Sequence, residues 1–91
     1  MFHDASQPRF ARGVRLRFDA VREIQMLLRP EGAVALNPSA AAVLELCDGE
    51  RTVSSIIDEL EAKFQGSQLA DDVRELLAEL SEVGVLVDAH R

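Results

Sequence analysis

The stretch "LLRPEGAVALNPSAAAVLELCDG", residues 27–49, decides how the rest of the chain is read. It holds the end of one apolar strand, a reversal, a short strand and a helix start. "RPEG" has Pro30 where a tight turn wants a fixed backbone angle, and Gly32 where one often needs a positive angle. "AVALN" then alternates, with Val34 and Leu36 expected to face the core and Ala33 and Ala35 to face away. Asn37-Pro38 is a strong helix start, because an Asn side chain accepts from an orphan amide and proline at the first helical position gives up no needed donor. The helix is expected to run from Pro38 towards Gly49.

Working towards the N-terminus, "VRLRF" alternates strictly, with Val14, Leu16 and Phe18 on one side and Arg15 and Arg17 on the other. Asp19-Ala20 can turn the chain into "VREIQMLL". There Ile24, Met26 and Leu28 alternate with Glu23, Gln25 and Leu27, while Val21 is out of phase and marks a turn or bulge. These runs predict a three-stranded antiparallel meander. Residues 1–13, "MFHDASQPRFARG", lack periodicity and are expected to form a flexible N-terminal arm outside a single domain at 14–87.

Towards the C-terminus, Thr52 is placed to cap a helix whose Val53, Ile56, Ile57, Leu60 and Phe64 share one face, ending at Gly66. A third helix follows Ser67 with Leu69, Val73, Leu76, Leu77, Leu80 and Val83 as its apolar stripe. Asp71 and Asp72 suit its N-terminal end, and Gly84 closes it. Val85 to Val87 is expected as a last strand fragment, in the place of a wing. The predicted class is α+β, a winged helix-turn-helix-like domain with an N-terminal three-stranded antiparallel sheet followed by a three-helix bundle.

Composition narrows the function. The 91 residues suit one domain, 47% hydrophobic and 29% charged, with a net charge of −6. Residues 1–29 hold six Arg against three acidic residues, and residues 30–91 hold four basic against thirteen acidic. The longest apolar run, Ala40 to Leu44, is far below the roughly 18 residues that a spanning helix needs. No signal-peptide core is legible near the N-terminus, so a cytoplasmic location is expected. The single Cys47 lies among apolar helix positions and is expected as a buried structural thiol.

No Gly-rich phosphate loop, metal-ligand spacing or Ser-His-Asp set is present; His3 and His90 lie near the two ends. No enzyme activity, cofactor or metal is therefore expected. The acidic clusters Glu75, Glu79, Glu82 and Glu45, Asp48 read as solvated helix faces rather than acid–base pairs. Winged-helix proteins often bind nucleic acid, yet the third helix has Arg74 alone against five carboxylates, which repel phosphate. A small acidic carrier protein is a second alternative, with Ser54 or Ser55 in "TVSSII" as a weak attachment site lacking the preceding Asp. What remains is a binding module: a short sheet ends in exposed edges, and an extended peptide can complete one by strand addition.

"RGVRLRFD", "MLLRPEGAVALN", "AAAVLELCDGERTVSSIIDEL" and "DDVRELLAEL" together resemble the PqqD family of peptide chaperones in pyrroloquinoline quinone (PQQ) biosynthesis. They also resemble the wider class of recognition elements for ribosomally made, post-translationally modified peptides. The resemblance spans about residues 10–87, and "PEG", "LN", "AA" and "L-x-D-G-x-x-T-V" at matching spacing carry it. It implies a winged-helix-like domain that does no chemistry, binds the precursor peptide PqqA and presents it to the radical SAM enzyme PqqE, which cross-links a Glu and a Tyr of that peptide. It also implies that the peptide lies along the third strand and third helix, here Ala33–Asn37 and about Asp71–Leu80. Val34, Ala35, Leu36, Val73, Leu76 and Leu80 are the expected peptide-binding residues. The chain is expected to be a monomer or a weak homodimer.

Overall fold

The computed structural model describes residues 2–65 and 68–89. Its elements run β1 (Pro8–Phe10), β2 (Arg15–Asp19), β3 (Ile24–Arg29), β4 (Gly32–Ala35), α1 (Pro38–Leu44), α2 (Val53–Lys63), α3 (Ala70–Glu82) and β5 (Leu86–Asp88). The α+β class and the meander β2-β3-β4 are present, but they are not the only sheet. β1 and β5 form a second, two-stranded antiparallel sheet, pairing Pro8 with Asp88 and Phe10 with Leu86. The expected wing strand is thus paired with the chain's beginning.

That pairing corrects the expected boundary at residue 14. Residues 4–10 are docked, because their backbone supplies acceptors that the helices and β5 need. The N–H of Val53 donates to the carbonyl of Ser6 at 2.9 Å and that of Ser54 to Asp4 at 3.1 Å, which satisfies two of the free amides at the start of α2. Gly49 donates to Pro8 and Ala89 to Gln7. Ser6 is fully buried. The sequence hid this because main-chain acceptors leave no side-chain periodicity.

In the meander, register assigns faces, since directly paired residues project from the same side of a sheet. Leu16, Leu27 and Val34 are in line and face the helices. Leu27 is buried in the core, and Leu16 and Leu36 pack against it. The apolar set Ile24, Met26 and Leu28 therefore faces outward, in line with Arg15, Arg17, Ala33 and Ala35. Phe18, expected beside Leu16, is 56% exposed because it lies near the end of an edge strand. The Asp19 carboxylate accepts from the amides of Val21 and Arg22 and so holds the first turn, where Val21 projects into solvent.

Asn37 caps α1 as expected, accepting from the Ala40 amide at 2.8 Å. The helix ends at Leu44 rather than near Gly49. Beyond it Asp48 bridges to Arg9 and Gly49 bonds to Pro8, so the docked N-terminal segment takes the chain away from the helix axis. Thr52 caps α2 through the Ser55 amide, while Gly66 and Ser67, the expected end of α2 and start of α3, lie outside the described residues, as does His90. Gly84, at φ +79°, ends α3, and the Val85 amide closes back on the Leu80 carbonyl at 2.9 Å. The core gathers Val43, Leu44 and Cys47 after and within α1, Val53, Ile56, Ile57 and Leu60 of α2, Val73 and Leu77 of α3, and Val85 and Leu86.

Candidate functional site

The site starts from hydrogen-bond parity. Antiparallel pairs alternate between bonded and non-bonded, and the Leu36 amide donates to the Gln25 carbonyl at 3.0 Å, continuing the β3–β4 register. Leu36, Val34 and Gly32 therefore turn their main-chain groups towards β3. Ala33 and Ala35 turn theirs the other way, and β4 is an edge strand in the order β2-β3-β4. All four residues of β4 are exposed. The edge is bare, since the side chains beside its outward amides are single methyl groups.

The sheet's other edge, β2, is different. By the same parity Leu16 and Phe18 direct their main chains outward, but Arg15 and Arg17 stand between and beside them. Charged side chains along an edge discourage strand addition, whereas the Gly-Ala-Val-Ala edge carries no such obstacle.

Next to the C-terminal end of β4 lies an apolar cleft of about 390 Å³ between the helices. Pro38, Ser39 and Ala42 of α1 form one wall and Val73 and Leu76 of α3 another, with Phe64 at the end of α2. Asp72 lies at its lining as a carboxylate. The structure divides the six expected residues. Val73 and Leu76 line the cleft, although Val73 is also a core residue. Val34, 42% exposed, and Ala35 lie on the open edge strand. Leu36 and Leu80 are half-buried against the core, and neither lines the cleft. Pro38, Ala42 and Phe64 went unassigned in the sequence. Phe64 had a signal, as the last apolar residue of the α2 stripe where the helix runs out, and its ring takes the Lys63 ammonium at 5.8 Å.

Electrostatically the cleft side is acidic. Asp71 and Asp72 sit in the first turn of α3, and Arg74 is occupied by Asp4 at 3.1 Å and Asp71 at 3.8 Å. Cys47 is not a reactive group: burial, helped by the nearby Asp48 charge, pushes its thiol pKa up to about 12. Among the described residues no group of three or more His, Cys, Asp or Glu is placed to hold a metal ion, and no helix is long and apolar enough to cross a membrane.

Known proteins match this arrangement along almost all of its length. The family model for coenzyme PQQ synthesis protein D (PqqD) matches residues 25–86. A PqqA binding protein of Methylococcus capsulatus is 44% identical over 64 residues, covering 70% of this chain and 69% of the relative. One from Rhodopseudomonas palustris is 39% identical over 88 residues, covering 94% and 86%. The solution structure of the PqqD part of Methylobacterium extorquens PqqCD, described as a functional, stand-alone recognition element for ribosomally synthesized and post-translationally modified peptides, superimposes with a TM-score of 0.74. It is 40% identical and covers 96% of this chain and 95% of its own. By family model, by identity over most of its length and by fold, the chain belongs to the PqqD family.

Proposed function

We propose that this chain is a peptide chaperone of PQQ biosynthesis. It binds the precursor peptide PqqA by strand addition along β4 and presents it to the radical SAM enzyme PqqE. It supplies no catalytic group of its own. The observation that carries this reading is the bare β4 edge, with the outward main-chain groups of Ala33 and Ala35. Family membership supports it, since relatives are named for binding PqqA.

On this reading the guest gains main-chain hydrogen bonds that demand little of its sequence, and a side chain entering the cleft beside Val73 and Leu76 supplies selectivity. Val34, Ala35 and Leu36 belong to the strand side of the site; Val73, Leu76 and Leu80 belong to the helix side. A disordered guest must be ordered on binding, so the affinity lies between nanomolar and micromolar. The three helices followed by a strand are, in the same reading, a winged-helix-like unit turned from nucleic acid to peptide. The acidic α3, with Asp71, Asp72, Glu75, Glu79 and Glu82, repels phosphate and supports that reassignment.

Titrating isotope-labelled protein with PqqA tests ligand and place together. The expected result is a saturable shift of amides in residues 33–37 and along α3. Saturation with shifts confined to β2 or to the β1–β5 sheet would overturn the reading.

A further inference from the structure

The outer face of the meander is not used by the site just described. Ile24, Met26 and Leu28 lie along its middle strand, partly buried between their neighbours, and none of them joins or packs against the core. Ala33 and Ala35 flank them on β4, and Arg15 and Arg17 flank them on β2. Both arginines are exposed and make no ion pair among the described residues, although the chain has 16 acidic residues against 10 basic. Asp19, the carboxylate in line with this face, is occupied by its own turn and by Arg22 at 3.8 Å.

An added strand makes this face matter. A guest on the β4 edge projects alternate side chains towards the helices and towards the outside, in line with Ala33 and Ala35. The inner face is packed against the core at Leu16 and Leu27 and open only at its margins, Phe18 and Val34, so the outer face offers a third molecule the broader surface on which to touch the guest and the sheet at once. We propose that this face is a protein-docking surface. Its partner presents an apolar strip to Ile24, Met26 and Leu28 and carboxylates to Arg15 and Arg17, and reads the guest's outward side chains beside them.

The two unpaired cations fix the sign of the partner's rim, and the guest's position makes the surface continuous with the peptide site. A second copy of this chain is a poorer occupant: its acidic surface is on α3, so the contact would be head-to-tail and would need a closing rotation to stop growing. An anionic membrane is disfavoured by the net charge of −6.

The inference rests on the proposed function for its probe, the radical SAM enzyme PqqE. The test measures PqqE affinity with and without saturating PqqA for the wild type, the double variant Arg15→Glu/Arg17→Glu and, separately, Met26→Lys. Native-like amide spectra establish folding. The expected result is at least a tenfold loss of PqqE affinity in both variants, PqqA affinity kept within twofold, and tighter PqqE binding to the wild type when PqqA is present. Unchanged PqqE affinity in the folded variants would overturn the docking surface. So would charge-dependent self-association through Arg15 and Arg17, or binding to vesicles of anionic phospholipid that the double variant loses. A PqqA complex that leaves residues 33–37 unshifted would refute strand addition instead, and the effect of the variants on PqqE separates the two failures.

Discussion

The molecule contains two short pieces of sheet that it treats in opposite ways. At the β1–β5 pair the N-terminal strand is held on both sides by its own chain: β1 bonds to β5, Arg9 bridges to Asp48, Pro8 accepts from Gly49, and just before it Ser6 accepts from Val53 across the start of α2. At β4 the chain pairs on one side only and leaves small, exposed residues on the other. In the first region β1 is closed on both sides by its own chain. The second is structure left incomplete, and a strand edge in that condition is either a hazard or a tool.

The largest effect is expected where the closed region meets the core. Leu86→Ala removes a side chain that is 1% exposed, and about 2–5 kcal/mol of stability is expected to go with it, read by urea denaturation. A loss under about 1 kcal/mol would mean that β5 is not part of the cooperative unit. Proline substitutions along β4 sharpen the contrast further. Val34→Pro removes a donor aimed at β3 and is expected to destabilise the fold by about 3 kcal/mol. Ala35→Pro removes a donor aimed outward, so stability changes by about 1 kcal/mol while PqqA affinity falls roughly tenfold. Calorimetric titration and denaturation of both variants check the pair; the same profile in each would contradict the parity argument.

Smaller effects test the joint between the two regions. Asn37→Ala deletes the cap that turns β4 into α1, at a cost of about 1 kcal/mol in thermal or chemical unfolding. The smallest is a pH effect at Asp48. Hydrogen bonds from the amides of Arg51 and Glu50, aided by the Arg51 charge, hold its carboxyl pKa below the usual carboxylate value. Because the folded-state pKa is depressed, its contribution is present above the unfolded value near 3.8 and lost as pH falls through the folded one. Asp48→Asn is therefore expected to flatten, slightly, the acid limb of the stability curve below about pH 4. An unaltered limb would show that the exposed turn contributes nothing.

How much of this was legible in the sequence depended on where each interaction resides. Side-chain caps and periodic stripes were: Asn37, Thr52, Gly84 and the apolar faces of α2 and α3 are where the residues predict them, except at the last position of each stripe, where Phe64 and Val83 lie just past their helices and are exposed. Main-chain interactions were not. The docking of residues 4–10 runs through carbonyls of Asp4, Ser6, Gln7 and Pro8, which any residue type supplies, so an aperiodic segment read as an arm. The strand half of the candidate site followed from the alternation of Val34 and Leu36 with Ala33 and Ala35. Its cleft walls did not, because Pro38, Ala42 and Phe64 meet only when three helices pack. The alternation of Ile24, Met26 and Leu28 with Glu23, Gln25 and Leu27 left open which set is inside; register and burial put Leu27 there.

The most direct test is backbone amide exchange through residues 32–37 with and without PqqA. An alternating response is expected: Ala33 and Ala35, open in the free protein, become protected, while Val34 and Leu36, already bonded to β3, change little. Uniform or absent protection in β4 at saturating peptide, or new protection at Leu16 and Phe18 of β2, would contradict it.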